Sequence, residues 1–311
     1  MRSGEGVVRE ICVIGGNRYF GKRLIARLMA AGDRVTVINR GSSAPPAGAI
    51  HLVADRNDEN SLEKALGSRT FDVVIDQVCY TPRQAEIARR VFAGRARRYV
   101  MTSTVEVYEY EDSAALVRED AVDPRTVAVD LELPWDDPEF LDAHYGEGKR
   151  QAEAVFARTR PAEPAFPYVA VRVAHVLGGD DDFTGRLDHY TDRIRTGEPI
   201  AVPAVNHPAT YIHVEEIADF LAWAAGADFT GPVNAASHGA LTTEELCEAV
   251  AAHVPEGGTV FRSVEVGEVS PFSFARSYGM DNSRGTRLGF TFGESSEWLP
   301  RAVAETLGKD N

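Results

Sequence analysis

Lysine is scarce in this chain: Lys22, Lys64, Lys149 and Lys309 are the only four among 311 residues, against 47 Asp and Glu. The formal net charge of −14 repels phosphate backbones and argues against a nucleic-acid partner. Cysteine is nearly as rare. Cys12, Cys79 and Cys247 lie far apart, without the spacing of a disulfide framework or a metal site, so reduced core thiols and no bound metal are expected. No apolar run approaches the ~18 residues of a membrane span. No signal-peptide pattern precedes the first apolar segment, because Met1–Glu10 is short and polar; a soluble, cytoplasmic protein is expected. Repeats and low-complexity stretches are absent too. What is left is ordinary for a globular chain: 44% hydrophobic and 26% charged residues. That length holds one large α/β domain, alone or with a smaller lobe.

Because lysine is so rare, Tyr145-Gly146-Glu147-Gly148-Lys149 stands out. Residues i and i+4 of a helix share one face, so phenol and ammonium point the same way. With 10 tyrosines and four lysines, chance supplies roughly 0.13 pairs at this spacing. A free phenol has a pKa of about 10. A nearby cation and an oxidised nicotinamide lower it, so that the phenolate can take a proton from an alcohol.

The pattern along the chain alternates strand and helix. Ile11–Ile14, Arg34–Ile38, Ala49–Val53, Phe71–Ile75, Arg98–Met101 and Tyr168–Val173 read as strands. Gly21–Ala31, Asn60–Leu66, Pro82–Phe92 and Tyr145–Arg158 read as the helices between them. This rhythm implies right-handed crossovers and a Rossmann-type, doubly wound parallel sheet. From Gly178 the rhythm loosens, with helices expected near Gly185–Arg195, Val214–Ala225, Thr242–Ala252 and Glu294–Leu307. A Rossmann domain over 1–177 is expected, with 178–311 mainly a smaller substrate lobe. Residues 205–236 are expected to return to the main sheet.

Gly15-Gly16-Asn17-Arg18-Tyr19-Phe20-Gly21 falls between the first strand and the first helix. Small residues there let the backbone approach a pyrophosphate, whose charge the helix N-terminus favours. Arg18 replaces the usual middle glycine. Asn39-Arg40-Gly41 follows the second strand, where an acidic residue would otherwise grip the ribose hydroxyls. Arg18 and Arg40 together could hold a 2′-phosphate, which leans towards NADP over NAD; two solvated arginines are the alternative. Asp55 and Arg56, after the third strand, are candidates for contact with adenine.

These stretches, together with Asp72-Val73-Val74-Ile75-Asp76, resemble the extended and atypical short-chain dehydrogenase/reductase superfamily, which includes NAD-dependent epimerases and dehydratases. The resemblance covers almost the whole chain, and the atypical branch includes chloroplast stem-loop-binding proteins. It implies a catalytic Ser or Thr just after the fifth strand. Aligned on Val107-Tyr108, that residue is Thr104 of Thr102-Ser103-Thr104. Thr104 would then hydrogen-bond the substrate oxygen, Tyr145 would transfer the proton and Lys149 would hold the nicotinamide ribose. Thr104-Val105-Glu106-Val107-Tyr108 is also similar to the run in nucleotide-sugar dehydratases whose glutamate removes the proton α to a transient ketone. Oxidising one sugar hydroxyl acidifies the neighbouring C–H, and a carboxylate near it can start loss of water. Val105 is a departure, since many of those enzymes carry an acid there.

The resemblance weakens over the substrate lobe. The Arg-aromatic-Asn run of the family reads Arg172-Val173-Ala174-His175 here. Pro208-Ala209-Thr210-Tyr211 precedes Ile212-His213-Val214, where many members place an Arg on a diphosphate. A nucleoside or simpler glycoside therefore stands beside a nucleotide sugar as expected substrate. His175 is a candidate for the substrate and His213 reads as structural. Gln77, after the fourth strand, is a candidate for the cofactor, and Cys79 and Tyr80 for the nicotinamide pocket, with packing as the alternative. The resulting expectation is an NAD(P)-dependent dehydratase working by transient oxidation, α-proton removal, loss of water and hydride return. Its rivals are a sugar epimerase, a reductase, and a non-catalytic cofactor-binding or RNA-associated protein. A homodimer is expected by resemblance.

Overall fold

The computed structural model describes residues 8–111, 115–158, 166–254 and 257–308. Strand β1 (Glu10–Ile14) is followed by α1 (Phe20–Ala30), β2 (Arg34–Asn39), β3 (Ile50–Val53) and α2 (Glu59–Leu66). Next come β4 (Val73–Asp76), α3 (Pro82–Phe92) and β5 (Tyr99–Thr104), then a 3₁₀ turn at Val105–Tyr108. Helices α4 (Pro138–Ala143) and α5 (Tyr145–Ala157) lead to β6 (Tyr168–Val173) and β7 (His175–Leu177). The remainder comprises α6 (Arg186–Thr196), β8 (Ile200–Pro203), β9 (Tyr211–His213), α7 (Val214–Ala224) and β10 (Gly231–Ala235). It ends with α8 (Thr243–Ala251), β11 (Phe261–Val264), α9 (Ser283–Arg287) and α10 (Ser295–Leu307).

Seven strands form one sheet in the order β10-β6-β5-β4-β1-β2-β3. The β1–β2, β1–β4, β2–β3 and β4–β5 pairs are parallel. Burial follows position in the sheet. Ile11, Cys12, Val13 and Ile14 of central β1 are buried, as a strand covered on both faces must be. Edge strand β3 leaves Ile50 and Val53 exposed. Helix boundaries follow local chemistry: Asp58 caps α2 by accepting from the Ser61 amide, and Thr81 with Pro82 starts α3. The order reverses at β1, with β2 on one side and β4 on the other. In open α/β sheets the carboxyl ends of the strands at such a point form the ligand crevice.

The chain divides into two interleaved units. The first takes residues through Val107, Val122–Arg172 and Ala218–Pro232. The second takes Tyr108–Ala121, Val173–Ile217 and everything from Val233 onwards. Leu187, Tyr190, Ile194, Leu246, Val250, Leu299 and Val303 build the core of the second unit from α6, α8 and α10. Parallel pairs β7–β9 and β8–β11 complete it. All three cysteines are buried free thiols.

Candidate active site

The glycine turn after β1 is shaped by what cannot fit there. Gly15 and Gly16 both adopt φ of 82°, a left-handed conformation that side chains rarely take. A Cβ on Gly21 would lie 2.5 Å from Gln77 Oε1 and 2.6 Å from the Gly16 Cα, so α1 packs backbone to backbone against the turn. The Gly15 amide donates to the Ile38 carbonyl at 2.8 Å, tying the turn to β2. Tyr19, with φ of 52°, precedes α1 and is buried, whereas Phe20 is half-buried. Two polar atoms at this turn are buried without a hydrogen-bond partner, Asn17 Oδ1 and Gln77 Nε2. A cradle closed to side chains, edged by an orphan acceptor and an orphan donor, suits a polar ligand with a pyrophosphate. Arg18 and Arg40 are exposed. Asn39 is engaged internally: its Oδ1 accepts from the Gly41 amide and its Nδ2 donates to Ser43 O, which also accepts from Asn17. It shapes the loop that carries Arg40. Asp55 is exposed and turns its own loop by accepting from the Asn57 amide.

Tyr145 opens α5 and Lys149 lies one turn along, with its Nζ 5.7 Å from the centroid of the Tyr145 ring. Lys149 is 1% exposed. Its ammonium donates to the Thr102 carbonyl on β5 at 2.7 Å and sits 4.5 Å from the centroid of Tyr80. Burial, the largest influence, pushes its pKa down to about 8, opposed by the nearby Asp76 carboxylate. The Lys149 bond ties α5 to the same strand that ends in Thr104. Thr104 is buried, and its Oγ1 accepts from the Glu106 amide at 3.2 Å, which orders the start of the 3₁₀ turn. Glu106 is half-buried in that turn.

Beneath this surface lie two buried ion pairs. Asp76, closing β4, is 0% exposed; it pairs with Arg56 and accepts from Tyr99 Oη at 2.6 Å and from the Val78 amide at 3.0 Å. Arg56, expected beside adenine, is buried and turns inward to pair with Asp76 through Nη2, while its Nε and Nη1 have no hydrogen-bond partner among the described residues. Cys79, expected at the nicotinamide pocket, is instead fully buried in the core, where desolvation raises its thiol to about 12. The second pair is Glu153 of α5 with Arg172 of β6, at 2.7 Å. Ser103 donates to the same glutamate at 2.5 Å, so β5, β6 and α5 share one buried charge cluster.

In the second unit His175 is buried, its ring stacked on Phe274 with centroids 5.1 Å apart. Burial above all, then Arg186 and Arg276, pushes its imidazole down to about 3, so it is neutral at physiological pH. His213 Nδ1 accepts from the Glu215 amide, and its Nε2 lies 3.4 Å from Glu305, consistent with a structural residue.

Three features escaped sequence reasoning. Gly148 is one: a Cβ there would meet the Tyr80 carbonyl oxygen at 2.4 Å. Two glycines inside a helix violate helix propensity and were the available signal. Asp76–Arg56 and Glu153–Arg172 had none, because their partners are far apart in sequence.

The geometry defines a Rossmann-fold protein of the short-chain dehydrogenase/reductase type. The sequence profile of the NAD dependent epimerase/dehydratase family matches residues 11–236, and the chain belongs to that family. It is similar to UDP-glucose 4-epimerase of Thermotoga maritima, solved with UDP-glucose: TM-score 0.72, 18% identity, 97% of this chain and 100% of that one covered. It is also similar to WbmH of Bordetella bronchiseptica, solved with NAD+: TM-score 0.68, 17% identity, 96% and 98% covered. A curated relative is the chloroplast stem-loop binding protein of 41 kDa b of Arabidopsis thaliana, 23% identical over 228 residues. That match takes 68% of this chain but spans only 53% of the relative, about half its length. No helix among the described residues is long and apolar enough to cross a membrane.

Proposed function

We propose that the protein is an NAD(P)-dependent dehydratase acting on the sugar portion of a nucleoside, nucleotide sugar or related glycoside. One observation carries the reading: a fully buried ammonium, Lys149, faces Tyr145 and is bonded to the strand that delivers Thr104 and Glu106. A positive charge beside a phenol favours the phenolate, so Tyr145 takes the proton of a substrate hydroxyl. The Thr104 hydroxyl orients that oxygen. Once the carbon bearing that oxygen is a carbonyl, Glu106 takes the proton on the neighbouring carbon, and the β-hydroxyl leaves as water with the proton that Tyr145 has taken. A nicotinamide held by Gly15, Gly16, Asn17, Gly21 and Gln77 would supply reversible hydride acceptance. Arg18 and Arg40, exposed and without an ion-pair partner among the described residues, favour a 2′-phosphate and hence NADP.

Epimerisation is the second reading, favoured by the likeness to solved sugar 4-epimerases and by Val105, which offers no acid for the leaving hydroxyl. An RNA-associated role, suggested by the curated relative, fits poorly with a net charge of −14 and an intact Thr-Tyr-Lys set. A reaction in heavy water separates the readings. Dehydration lowers product mass by one water; epimerisation leaves the mass unchanged apart from deuterium. Glu106→Gln should abolish turnover and retain cofactor binding, and unimpaired dehydration in that variant removes Glu106 from the mechanism.

A further inference from the structure

Tyr80, a candidate for the nicotinamide pocket, turns its ring towards Lys149. A buried ammonium carries three donors and needs compensation for its lost water. The groups facing it leave few candidates. Thr102 of β5 contributes one carbonyl, at 2.7 Å. Asp76 of β4 is paired with Arg56 and accepts from the Tyr99 hydroxyl, so it acts on Lys149 through space and not as a direct partner. Glu153, one turn along α5, is neutralised by Arg172. Cys79 keeps its proton, because burial raises it to about 12. Tyr145, on the same helix, is the group to be activated. No carboxylate among the described residues forms an ion pair with Lys149. In direct contact, besides the Thr102 carbonyl, is the π face of Tyr80, centred 4.5 Å from Nζ and closer than the Tyr145 ring at 5.7 Å.

The Tyr80 backbone is held in place from both sides. Its amide donates to Gln84 Oε1 at 2.6 Å, and Gln84 Nε2 donates to Asn57 Oδ1 at 2.8 Å. Its carbonyl lies where a Cβ on Gly148 would be 2.4 Å away, one residue before Lys149. The Tyr80 backbone is thus fixed against the helix that carries the ammonium, which sets where its ring can lie.

We propose that Tyr80 is a positioning residue whose ring face holds the Lys149 ammonium charged and aimed at Tyr145. This rests on the acid–base reading of Tyr145 and Lys149. The ring, not the hydroxyl, does the work: a cation over a desolvated aromatic face is attracted by the ring quadrupole. Burial raises the phenol of Tyr80, which stays protonated and does not compete with Tyr145 as a base.

With only four lysines, the Lys149 side chain can be followed by NMR of protein labelled at the lysine ε-carbons, assigned with Lys149→Met. Tyr80→Leu is expected to move the Lys149 titration midpoint down by about one pH unit. Tyr80→Phe is expected to leave it in place. Difluorophenylalanine incorporated at position 80 keeps the shape and weakens the π face, so its midpoint should fall between the two even if the leucine variant folds badly. The alkaline limb of the turnover profile should shift in parallel. A midpoint that ignores fluorination, or a Phe variant that drops as far as Leu, overturns the proposal. The titration needs neither cofactor nor substrate, so the two ideas fail separately. Full turnover by Tyr145→Phe ends the acid–base reading whatever Tyr80 does, whereas an unmoved midpoint ends only the role of Tyr80.

Discussion

At Lys149 stability and function pull in opposite directions. Its pKa falls from an ordinary 10.5 to about 8 on folding, so between those values the unfolded chain holds more protons than the folded one. Folding stability therefore rises with pH across that window, and below pH 8 the full cost of burying the charge is present. That cost is on the order of 3 kcal/mol. Methionine matches the lysine stem in length and carries no charge. Lys149→Met should raise stability at pH 7 by about 1–3 kcal/mol, the lost Thr102 bond and Tyr80 contact offsetting part of the gain, while turnover disappears. Urea unfolding of both proteins from pH 7 to 10 checks this, and the gap must narrow as pH rises. A destabilised variant at pH 7 would mean that Lys149 is a structural ion. The pair itself was legible because spacing on a helix fixes relative direction and lysine is scarce. Arg56 was not, because a position after an edge strand says nothing about which way the side chain turns.

Helix α5 connects the candidate site to the sheet by three different means. Lys149 reaches β5 through the Thr102 carbonyl, Glu153 reaches Ser103 and Arg172, and Gly148 lets the Tyr80 backbone touch the helix. Alanine normally favours a helix over glycine by about 1 kcal/mol. At position 148 the new Cβ would stand 2.4 Å from a backbone oxygen and 3.2 Å from Trp135, so the helix must move. Overpacking of this kind costs about 1–3 kcal/mol and outweighs the propensity gain. Gly148→Ala should lower stability by about 1–2 kcal/mol net and reduce turnover at least tenfold, because Lys149 moves with the helix. Calorimetry and initial rates on the variant and the wild type decide it. The long elements of the first unit were visible from periodicity, since central parallel strands read as apolar runs between amphipathic helices. Strands β7, β8, β9 and β11 have only three or four residues, too few for a period to show, and α4 begins at a proline in an acidic loop.

For the molecule as a whole, a net charge of −14 makes any polyphosphate ligand approach against the field, so local cations must hold it. Arg18 and Arg40 flank the glycine turn and its loop, and their positions were readable because strand–turn–helix order dictates where those loops lie. Which nicotinamide nucleotide they select depends on geometry around a phosphate, which sequence order does not fix. A charge-assisted hydrogen bond contributes about 1.5–3 kcal/mol, so losing one arginine should weaken NADPH binding by roughly 10- to 100-fold. NADH, lacking the 2′-phosphate, should be almost unaffected by the same change. A ligand that binds only the folded state adds about 2.7 kcal/mol of stability at 100 times its Kd. Urea unfolding with either nucleotide therefore reads cofactor choice without any substrate. NADPH should stabilise the wild type more than NADH at equal concentration, and Arg40→Ser should remove about 1.4 kcal/mol or more of the NADPH effect under excess ligand. Equal stabilisation by both nucleotides, untouched by Arg40→Ser and Arg18→Ser, would return those arginines to the solvent and leave NAD as the nucleotide this turn was built for.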